Sequence, residues 1–206
     1  MKKVIIIGIA GGSGSGKTCL SKNILKNIDD AQVQSIEVDS YYKDLSHISF
    51  EERAINNFDH PNAIDFELLY EDLKKIINNK ITKIPIYDYK THTRFKNKTR
   101  KIEGTKVIIL EGILSLYNSK IRKLMSLKIF VDTPDDVRIL RRIKRDVNKR
   151  ARTIECVTDQ YNKTVKPMFL KYVKPTKDYA DLIVPFGGKN KISIDAIVTN
   201  IKKSYI

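Results

Sequence analysis

A glycine-rich segment near the start of the chain has the residue types and spacing that bind phosphate groups. Residues 11–18 read Gly-Gly-Ser-Gly-Ser-Gly-Lys-Thr and directly follow the apolar run at residues 4–10. This is the pattern G-x-x-x-x-G-K-T in the context that it requires, which is a buried strand, a glycine loop and then a helix. The backbone N–H groups of such a loop point at a phosphate chain, and the helix adds the positive end of its dipole. The predicted phosphate-binding residues are Gly11, Gly12, Ser13, Gly14, Ser15, Gly16, Lys17 and Thr18.

The last two residues of this loop carry the side chains that suit phosphate chemistry. Lys17 can reach the outer phosphates, and the Thr18 hydroxyl can ligate Mg²⁺. The dinucleotide pattern G-x-G-x-x-G is not satisfied, because Lys17 stands where that pattern needs its third glycine. The loop therefore predicts binding of a phosphate chain and not of a dinucleotide.

Three of the expected strands end in an acidic residue, namely Asp39, Glu111 and Asp132. Ligands of open α/β sheets bind beyond the carboxyl ends of the strands, so these are expected positions for Mg²⁺ ligands and a catalytic base. Asp39 could accept a proton from a substrate hydroxyl or contact Mg²⁺, and the alternative is an ordinary turn or cap residue. Glu111 could hold Mg²⁺ directly or through water, and the alternative is a strand-end acid that faces solvent.

Two further segments combine polar and aromatic side chains. In residues 57–61, Asn-Phe-Asp-His-Pro, Asp59 either accepts hydrogen bonds from sugar hydroxyls or belongs to a capped turn. Residues 85–94 read Pro-Ile-Tyr-Asp-Tyr-Lys-Thr-His-Thr-Arg, and their aromatic faces and single histidine suit a flat heterocycle. The alternative is a hairpin with a solvent-facing ladder of Tyr and Thr. The three histidines of the chain lack metal-ligand spacing, so no histidine metal site is expected.

An arginine stripe at helical spacing occupies the second half of the chain. It comprises Arg138, Arg141, Arg142 and Arg145. Apolar residues lie on the other side of the same helix, namely Val137, Leu140, Ile143 and Val147. The helix is therefore expected to bury its apolar side and to present the guanidinium groups on the opposite one. A solvated basic face is the ordinary explanation, and the alternative is phosphate binding, because arginine forks match phosphate oxygens.

Apolar runs and helical periodicities alternate along the chain and predict the elements that position these residues. Strands are expected at residues 4–10, 33–38, 106–110, 127–131 and 181–184, and helices at residues 17–28, 66–77, 135–149, 153–173 and 193–202. This βαβ succession predicts an α/β fold of three layers, with a mainly parallel central sheet between helices. We expect a single domain over residues 1–206, in which residues 85–105 form a small β-hairpin or lid insertion.

The formal net charge of +15 has three interpretations. They are nucleic-acid binding, the handling of polyphosphates, and the Lys-, Ile- and Asn-rich composition of AT-rich genomes, which the even spread of lysines favours. Cys19 and Cys156 form no C-x-x-C pair and are typical of a reducing compartment. No apolar run approaches the roughly 20 residues that span a bilayer. The first apolar run ends in the glycine loop rather than in a cleavage site, so a soluble, cytoplasmic protein is expected.

The chain resembles the uridine kinase (uridine-cytidine kinase) family, which lies within the P-loop nucleoside monophosphate kinase-like group together with phosphoribulokinase and pantothenate kinase. The matching segments cover nearly the whole chain in order, at residues 11–18, 39–42, 57–66, 85–89, 111–114, 131–134, 141–146, 160–161, 164–167, 179–181 and 187–188. The glycine loop alone indicates only the superfamily, whereas residues 57–61 and 164–167 are much more specific.

The resemblance implies a P-loop kinase that uses ATP or GTP to phosphorylate the 5′-hydroxyl of uridine or cytidine. It implies a catalytic set of Asp39, Lys17 and Arg145, in which Asp39 is the general base. The implied Mg²⁺ ligands are Thr18, Asp39 and Glu111. A nucleoside is the implied partner, without nucleic acid or membrane, and the family suggests a homo-oligomer, often a tetramer.

The resemblance also implies the substrate contacts. Ribose would be held by Asp59, Arg142 and Gln160. The pyrimidine edge would meet Tyr87 and His92, with Tyr42 and Tyr89 nearby. Phosphates would meet Arg145, Arg150 and Arg152 in a lid region at residues 142–155.

The sequence departs from the family pattern in two places. Residues 149–152 read Lys-Arg-Ala-Arg where Glu-Arg-Gly-Arg is commoner, which could change the flexibility of the lid, and Asn62 stands where the family often has Asp. Two other functions stay open. One is a kinase of the same architecture that acts on another small-molecule hydroxyl, as phosphoribulokinase and pantothenate kinase do, and the other is a nucleic-acid-binding ATPase.

Overall fold

The chain alternates between strands and helices in the computed structural model, which describes residues 4–28, 32–150 and 152–205. The strands are β1 (Ile5–Ala10), β2 (Val33–Glu37), β3 (Thr82–Asp88), β4 (Thr93–Ile102), β5 (Val107–Glu111), β6 (Met125–Asp132) and β7 (Leu182–Pro185). The α-helices are α1 (Lys17–Ile28), α2 (Phe50–Ala54), α3 (Phe66–Ile77), α4 (Ser119–Arg122), α5 (Asp135–Arg150), α6 (Ile154–Gln160), α7 (Lys166–Met168) and α8 (Lys191–Tyr205). Short 3₁₀ helices cover Val38–Tyr41, Pro61–Ala63 and Lys174–Tyr179, and π-helical turns flank α7 at Tyr161–Val165 and Phe169–Val173.

The central sheet has the strand order β2-β5-β1-β6-β7, and every neighbouring pair in it is parallel. Its middle strands are buried on both faces, because their residues alternate between two apolar cores. On β5, Ile108 and Leu110 face one core, and Val107 and Ile109 face the other. This arrangement confirms the predicted α/β fold with a parallel sheet between helices.

The two apolar cores lie on opposite sides of the sheet. On one side, α1 and α8 contribute Leu20, Ile24 and Ile197. On the other, α3 contributes Leu69 and Leu73, together with residues from α4 and the β3–β4 ribbon. The buried apolar faces of these amphipathic helices thus hold the sheet, including the carboxyl ends of its strands, in a fixed position.

The β3–β4 pair forms a separate antiparallel hairpin with an irregular register between Pro85 and Tyr87. It lies beside β2, where the guanidinium of Arg100 donates to the carbonyl oxygen of Ser35. The paired strands span residues 82–102, so they begin before the insertion expected at residues 85–105 and end before its last residues.

The predicted orientation of the arginine helix is wrong. On α5, Arg138 is 2% exposed and Arg142 is 6% exposed, whereas Leu140 is 67% exposed. Guanidinium groups tolerate burial only with partners, and these two have them. The Arg138 guanidinium carbon lies 3.8 Å from the ring centre of Phe169, and Arg142 bonds to polar side chains described below.

Three local features also differ from the sequence-based expectation. Strand β2 ends at Glu37, so Asp39 lies in the 3₁₀ turn that follows it. Helices α2 and α4 were not expected, although Ser49 and Glu52 form a capping box at the start of α2.

Within the described ranges, no helix is long and apolar enough to cross a membrane.

Candidate active site

The glycine loop, Glu111 and Asp39 follow three neighbouring strands. Strand β5 lies between β1 and β2, and its last residue, Glu111, is level with Ile9 on one side and Glu37 on the other. The loop after β1, the end of β5 and the turn after β2 therefore lie side by side at the carboxyl ends of the strands. The predicted convergence at the carboxyl ends of the strands is thus present in the fold.

Glu111 and Thr18 are in direct contact at these strand ends. The Thr18 hydroxyl donates a hydrogen bond of 2.8 Å to Glu111 Oε1. The Glu111 side chain is almost fully buried. Burial raises the pKa of the Glu111 carboxyl, while the ammonium of Lys17 acts in the opposite direction. The buried carboxylate and the neighbouring hydroxyl offer two oxygen ligands to a cation.

The glycine loop is packed between α1 and the start of α5. Gly14 has a φ of 80°, and a Cβ atom at this position would collide with the carbonyl oxygen of Arg138. The Thr133 hydroxyl donates to the carbonyl oxygen of Ser15 at 3.0 Å. These contacts hold the backbone of the loop, and α1 begins at Lys17, near the end of the loop.

Asp39 lies opposite the loop and is partly exposed. The hydroxyl of Tyr89, from the turn between β3 and β4, donates to Asp39 Oδ2 at 3.4 Å. The hairpin thus reaches the carboxylate that was expected to act as a base. Asp132, the third strand-end acid, instead accepts a hydrogen bond of 2.7 Å from Lys177.

A cluster of aromatic rings lines the hairpin side of the site. The rings of Tyr42 and Tyr87 pack edge to face with centres 5.1 Å apart, and Phe58 packs against Tyr42 at the same distance. His92 stacks on Phe58 at 5.1 Å with an angle of 18° between the planes. The structure brings the predicted Tyr42, Tyr87 and His92 together. Sequence reasoning missed Phe58, although it lies in a segment that carried the family resemblance.

His92 occupies an unusual backbone position, with a φ of 53° in the hairpin turn. Positive φ angles in residues other than glycine are uncommon and are often found at functional sites. Burial lowers the pKa of the His92 imidazole, and the nearby Arg53 guanidinium lowers it further. The ring is therefore uncharged at neutral pH and can both donate and accept a hydrogen bond.

Arg142 joins the glycine loop to the helical segment after α5. It donates from Nη1 to Ser13 Oγ and from Nη2 to Gln160 Oε1, both at 2.7 Å. Arg152 donates to the same Gln160 oxygen at 2.6 Å. Burial raises the pKa of Asp59, and the charge of Arg142 opposes this rise. These five predicted residues therefore form one group of interacting charges and dipoles.

The other two predicted phosphate-contacting arginines also lie on α5. Arg145 donates from Nε to Asp146 Oδ1 at 2.7 Å. The guanidinium carbon of Arg150 lies 5.5 Å from the centre of the Tyr89 ring, so it connects α5 to the hairpin. Ala151, within the predicted lid at residues 142–155, lies outside the described residues.

The loop between β7 and α8 packs against the outside of the glycine loop. Gly187 has a φ of 83°, and a Cβ atom there would collide with the carbonyl oxygen of Ser15. A Cβ atom on Gly188 would collide with the backbone N of Leu20 in α1. Arg141 also reaches this loop through the carbonyl oxygen of Phe186 at 3.4 Å.

Comparison with known proteins identifies the family to which this site belongs. A model described as the phosphoribulokinase / uridine kinase family matches residues 6–193. The chain belongs to this family. As a member of the phosphoribulokinase / uridine kinase family, it is 51% identical over 200 residues to a uridine kinase of Streptococcus thermophilus, covering 97% of this chain and 94% of that protein. It is 49% identical over 202 residues to a uridine kinase of Clostridium botulinum, covering 98% of both proteins.

Solved structures of this architecture are more distant in sequence. D-glycerate 3-kinase from Cryptococcus neoformans superposes with a TM-score of 0.67 at 17% identity, covering 90% of this chain and 87% of that one. A protein described as a possible uridine kinase from Bacillus stearothermophilus gives a TM-score of 0.56 at 19% identity, covering 89% and 90%. At such identities the likeness concerns the fold.

Proposed function

We propose that this protein transfers the γ-phosphoryl group of ATP or GTP to the 5′-hydroxyl of uridine or cytidine, which gives UMP or CMP in pyrimidine salvage. The observation that carries the proposal is the placement of the glycine loop and Asp39 on either side of β5, with the aromatic cluster over the Asp39 side. About half of the residues are identical to those of proteins named uridine kinase over nearly the full chain, which supports the same substrate class.

The reaction is a direct phosphoryl transfer. The donor triphosphate lies along residues 11–18, with Lys17 against its outer phosphates. The nucleoside 5′-oxygen attacks the γ-phosphorus while Asp39 takes its proton, and the bond between this phosphorus and the bridging oxygen of the β-phosphate breaks. Positioning and charge neutralisation supply most of the rate enhancement in such transfers.

The donor set at the strand ends suits Mg²⁺. The Thr18 hydroxyl and the carboxylates of Glu111 and Asp39 are hard oxygen ligands of the kind that Mg²⁺ prefers. Within the described chain, no cluster of three or more acidic, histidine or cysteine side chains is arranged as a metal cage. A site with few protein ligands fits an ion that keeps waters and binds substrate phosphates. When bound, Mg²⁺ neutralises charge on the donor phosphates.

The acceptor nucleoside lies between the hairpin and α5. Asp59, Arg142 and Gln160 hold the ribose hydroxyls, and the hydrogen bond from Arg142 to Gln160 keeps these two side chains together. The aromatic cluster takes the pyrimidine, with Tyr87 and His92 at its edge and Tyr42 and Tyr89 nearby. Stacking and edge contacts of this kind select a flat heterocycle.

Arginines complete the phosphate site. Arg145, Arg150 and Arg152 contact the donor and transferred phosphates, where their forked donors match phosphate oxygens. Arg150 lies over the ring of Tyr89, so α5 and the hairpin are in contact beside the proposed site. This supports a lid role for residues 142–155.

We also propose a homo-oligomer that acts in the cytoplasm. Strand β7 is an edge of the sheet, and Leu182 and Ile183 on it are exposed, which supports contact with a second copy. The free thiols of Cys19 and Cys156 suit a reducing compartment. Size-exclusion chromatography with light scattering would give the subunit number.

A product assay with a panel of acceptors tests the function. Purified protein is incubated with Mg²⁺ and ATP or GTP, and with uridine, cytidine, pantothenate, D-glycerate or ribulose 5-phosphate. We expect UMP and CMP as the products, separated by chromatography. Turnover of one of the last three acceptors with no nucleoside product would assign the chain to another activity of the same architecture.

A further inference from the structure

A buried carboxylate on α5 lies among the arginines of the proposed phosphate site. Asp146 is 0% exposed. Its Oδ1 accepts a hydrogen bond from Arg145 Nε at 2.7 Å and lies 3.6 Å from Arg150 Nη1. Its Oδ2 lies 3.6 Å from Arg142 Nε. One acidic side chain thus faces three guanidinium groups, each of which has a proposed role in binding phosphate or ribose.

The surrounding arginines keep Asp146 ionised. Although burial acts to raise the pKa of Asp146, the hydrogen bond from Arg145 and the charges of Arg142 and Arg150 outweigh it and hold the pKa below its ordinary value. The residue is therefore a carboxylate at neutral pH. It offsets part of the repulsion among guanidinium groups that would otherwise spread apart.

The backbone at Asp146 also holds the segment beyond α5. The N–H of Arg152 donates to the carbonyl oxygen of Asp146 at 3.3 Å. Arg152 then shares the Gln160 oxygen with Arg142. Four arginines are therefore connected to this residue, through its side chain or its backbone.

We propose that Asp146 is a positioning residue that fixes Arg142, Arg145 and Arg150 in the orientations needed for phosphoryl transfer. It does not touch substrate and acts through the arginines that do. The proposal rests on the proposed function, because the value of the orientation lies in the reaction. Displacing a catalytic group by about 1 Å can cost roughly a hundredfold in rate, so loss of this anchor has a large expected effect.

The test is a double-mutant cycle with Asp146→Asn and Arg145→Ala. Asp146→Asn keeps the size of the side chain and removes its charge. We expect it to lower kcat for uridine by about tenfold to a hundredfold. In the Arg145→Ala background the same change should lower kcat by only about threefold or less, because the one arginine hydrogen-bonded to Asp146 is gone and only the longer contacts with Arg142 and Arg150 remain. A merely structural contribution would multiply with the loss from Arg145→Ala.

The control variant is Asp159→Asn, which removes an exposed carboxylate from neighbouring helix α6. It should leave kcat and the melting temperature near those of the wild type. An unchanged kcat in folded Asp146→Asn, or effects that multiply in the cycle, would overturn the proposal. If Asp146→Asn does not fold, Asp146→Glu decides, since it keeps the charge but moves the carboxylate. A kcat at least about tenfold lower, with a melting temperature within about 5 °C, supports positioning, and an unchanged kcat overturns it.

The two proposals fail separately. A wild-type protein that does not phosphorylate uridine or cytidine contradicts the proposed function. The role of Asp146 is then judged by calorimetric titration with ATP, which needs no acceptor. Weaker binding by about tenfold in Asp146→Asn, with unchanged binding in Asp159→Asn, supports the role. Equal ATP affinity in the wild type and both variants overturns it.

Discussion

The positions of individual side chains were predicted best where a backbone pattern determines them. The glycine loop gave the place of Lys17 and Thr18, and the end of β5 gave that of Glu111, whereas Asp39 lies two residues beyond the end of β2. Phe58 and Asp146 were missed for different reasons. His92 stacks on Phe58 from a hairpin more than thirty positions away. The arginines around Asp146 are its neighbours on α5, but their convergence on one buried carboxylate is visible only in the fold.

The first prediction concerns Asp39. Asp39→Asn should lower kcat by about 10²–10⁴-fold and change ATP affinity far less, because the amide cannot take the proton of the attacking hydroxyl. Steady-state kinetics and calorimetry measure the two effects. Asp132→Asn is the control, since this strand-end acid is bound to Lys177. Near-normal turnover in Asp39→Asn would remove the residue from the role of base.

The second prediction concerns His92. His92→Gln should raise the KM for uridine by about threefold to tenfold, the worth of one hydrogen bond, and spare the KM for ATP. Because burial and the charge of Arg53 lower the pKa of His92 from its ordinary value, the wild-type imidazole becomes charged only at acidic pH. The KM for uridine should then rise in the wild type and not in the variant. The exposed His47 offers His47→Gln as a control, and an identical pH dependence in His92→Gln would contradict the prediction.

Elements were predicted from periodicity, and periodicity alone misplaced one helix face. The apolar side of α5 was expected to be buried, but Arg138 and Arg142 point inward and Leu140 outward. The partners that permit this burial, Ser13 and Phe169, lie far away in the sequence. The hydrophobic pattern therefore predicts that a helix exists more reliably than it predicts which face is buried, when polar side chains on that helix have partners far away in the sequence.

The third prediction compares two glycines with positive φ. Gly187→Ala should lower the free energy of unfolding by about 2–5 kcal/mol, because its Cβ meets the carbonyl oxygen of Ser15 and its backbone is left-handed. The KM for ATP should rise as the glycine loop shifts. Gly104→Ala, whose Cβ has nothing within 4 Å, should lower the free energy of unfolding by only about 1–2 kcal/mol. Chemical denaturation of both variants measures the difference, and equal losses would contradict it.

The whole molecule was the easiest level to predict, because βαβ order and strand ends leave few arrangements of a parallel sheet. The hairpin was harder, since its polar strands have no core-facing pattern over most of β4. Its place beside β2 depends on contacts such as Arg100 with Ser35, which join residues from distant parts of the sequence.

The fourth prediction concerns the net charge of +15. For a nucleoside kinase we expect binding to duplex DNA to be non-specific, with a Kd weaker than about 1 μM at physiological salt and a steep dependence on salt concentration. Fluorescence anisotropy at several salt concentrations measures this. Excess DNA should leave nucleoside phosphorylation unchanged. Sub-micromolar binding that persists at about 200 mM salt would favour a nucleic-acid-dependent function.

The hairpin also shields the border strand β2. Arg100 donates to the carbonyl oxygen of Ser35, and the side chain of Gln34 donates to the carbonyl oxygen of Glu103 at 3.0 Å. These polar groups of β2 already have partners and are less available to another chain. A shortened protein without the hairpin would lose the cover of β2 as well as the proposed acceptor site. Its β2 would become an uncovered edge strand, which can pair with strands of other chains and promote aggregation.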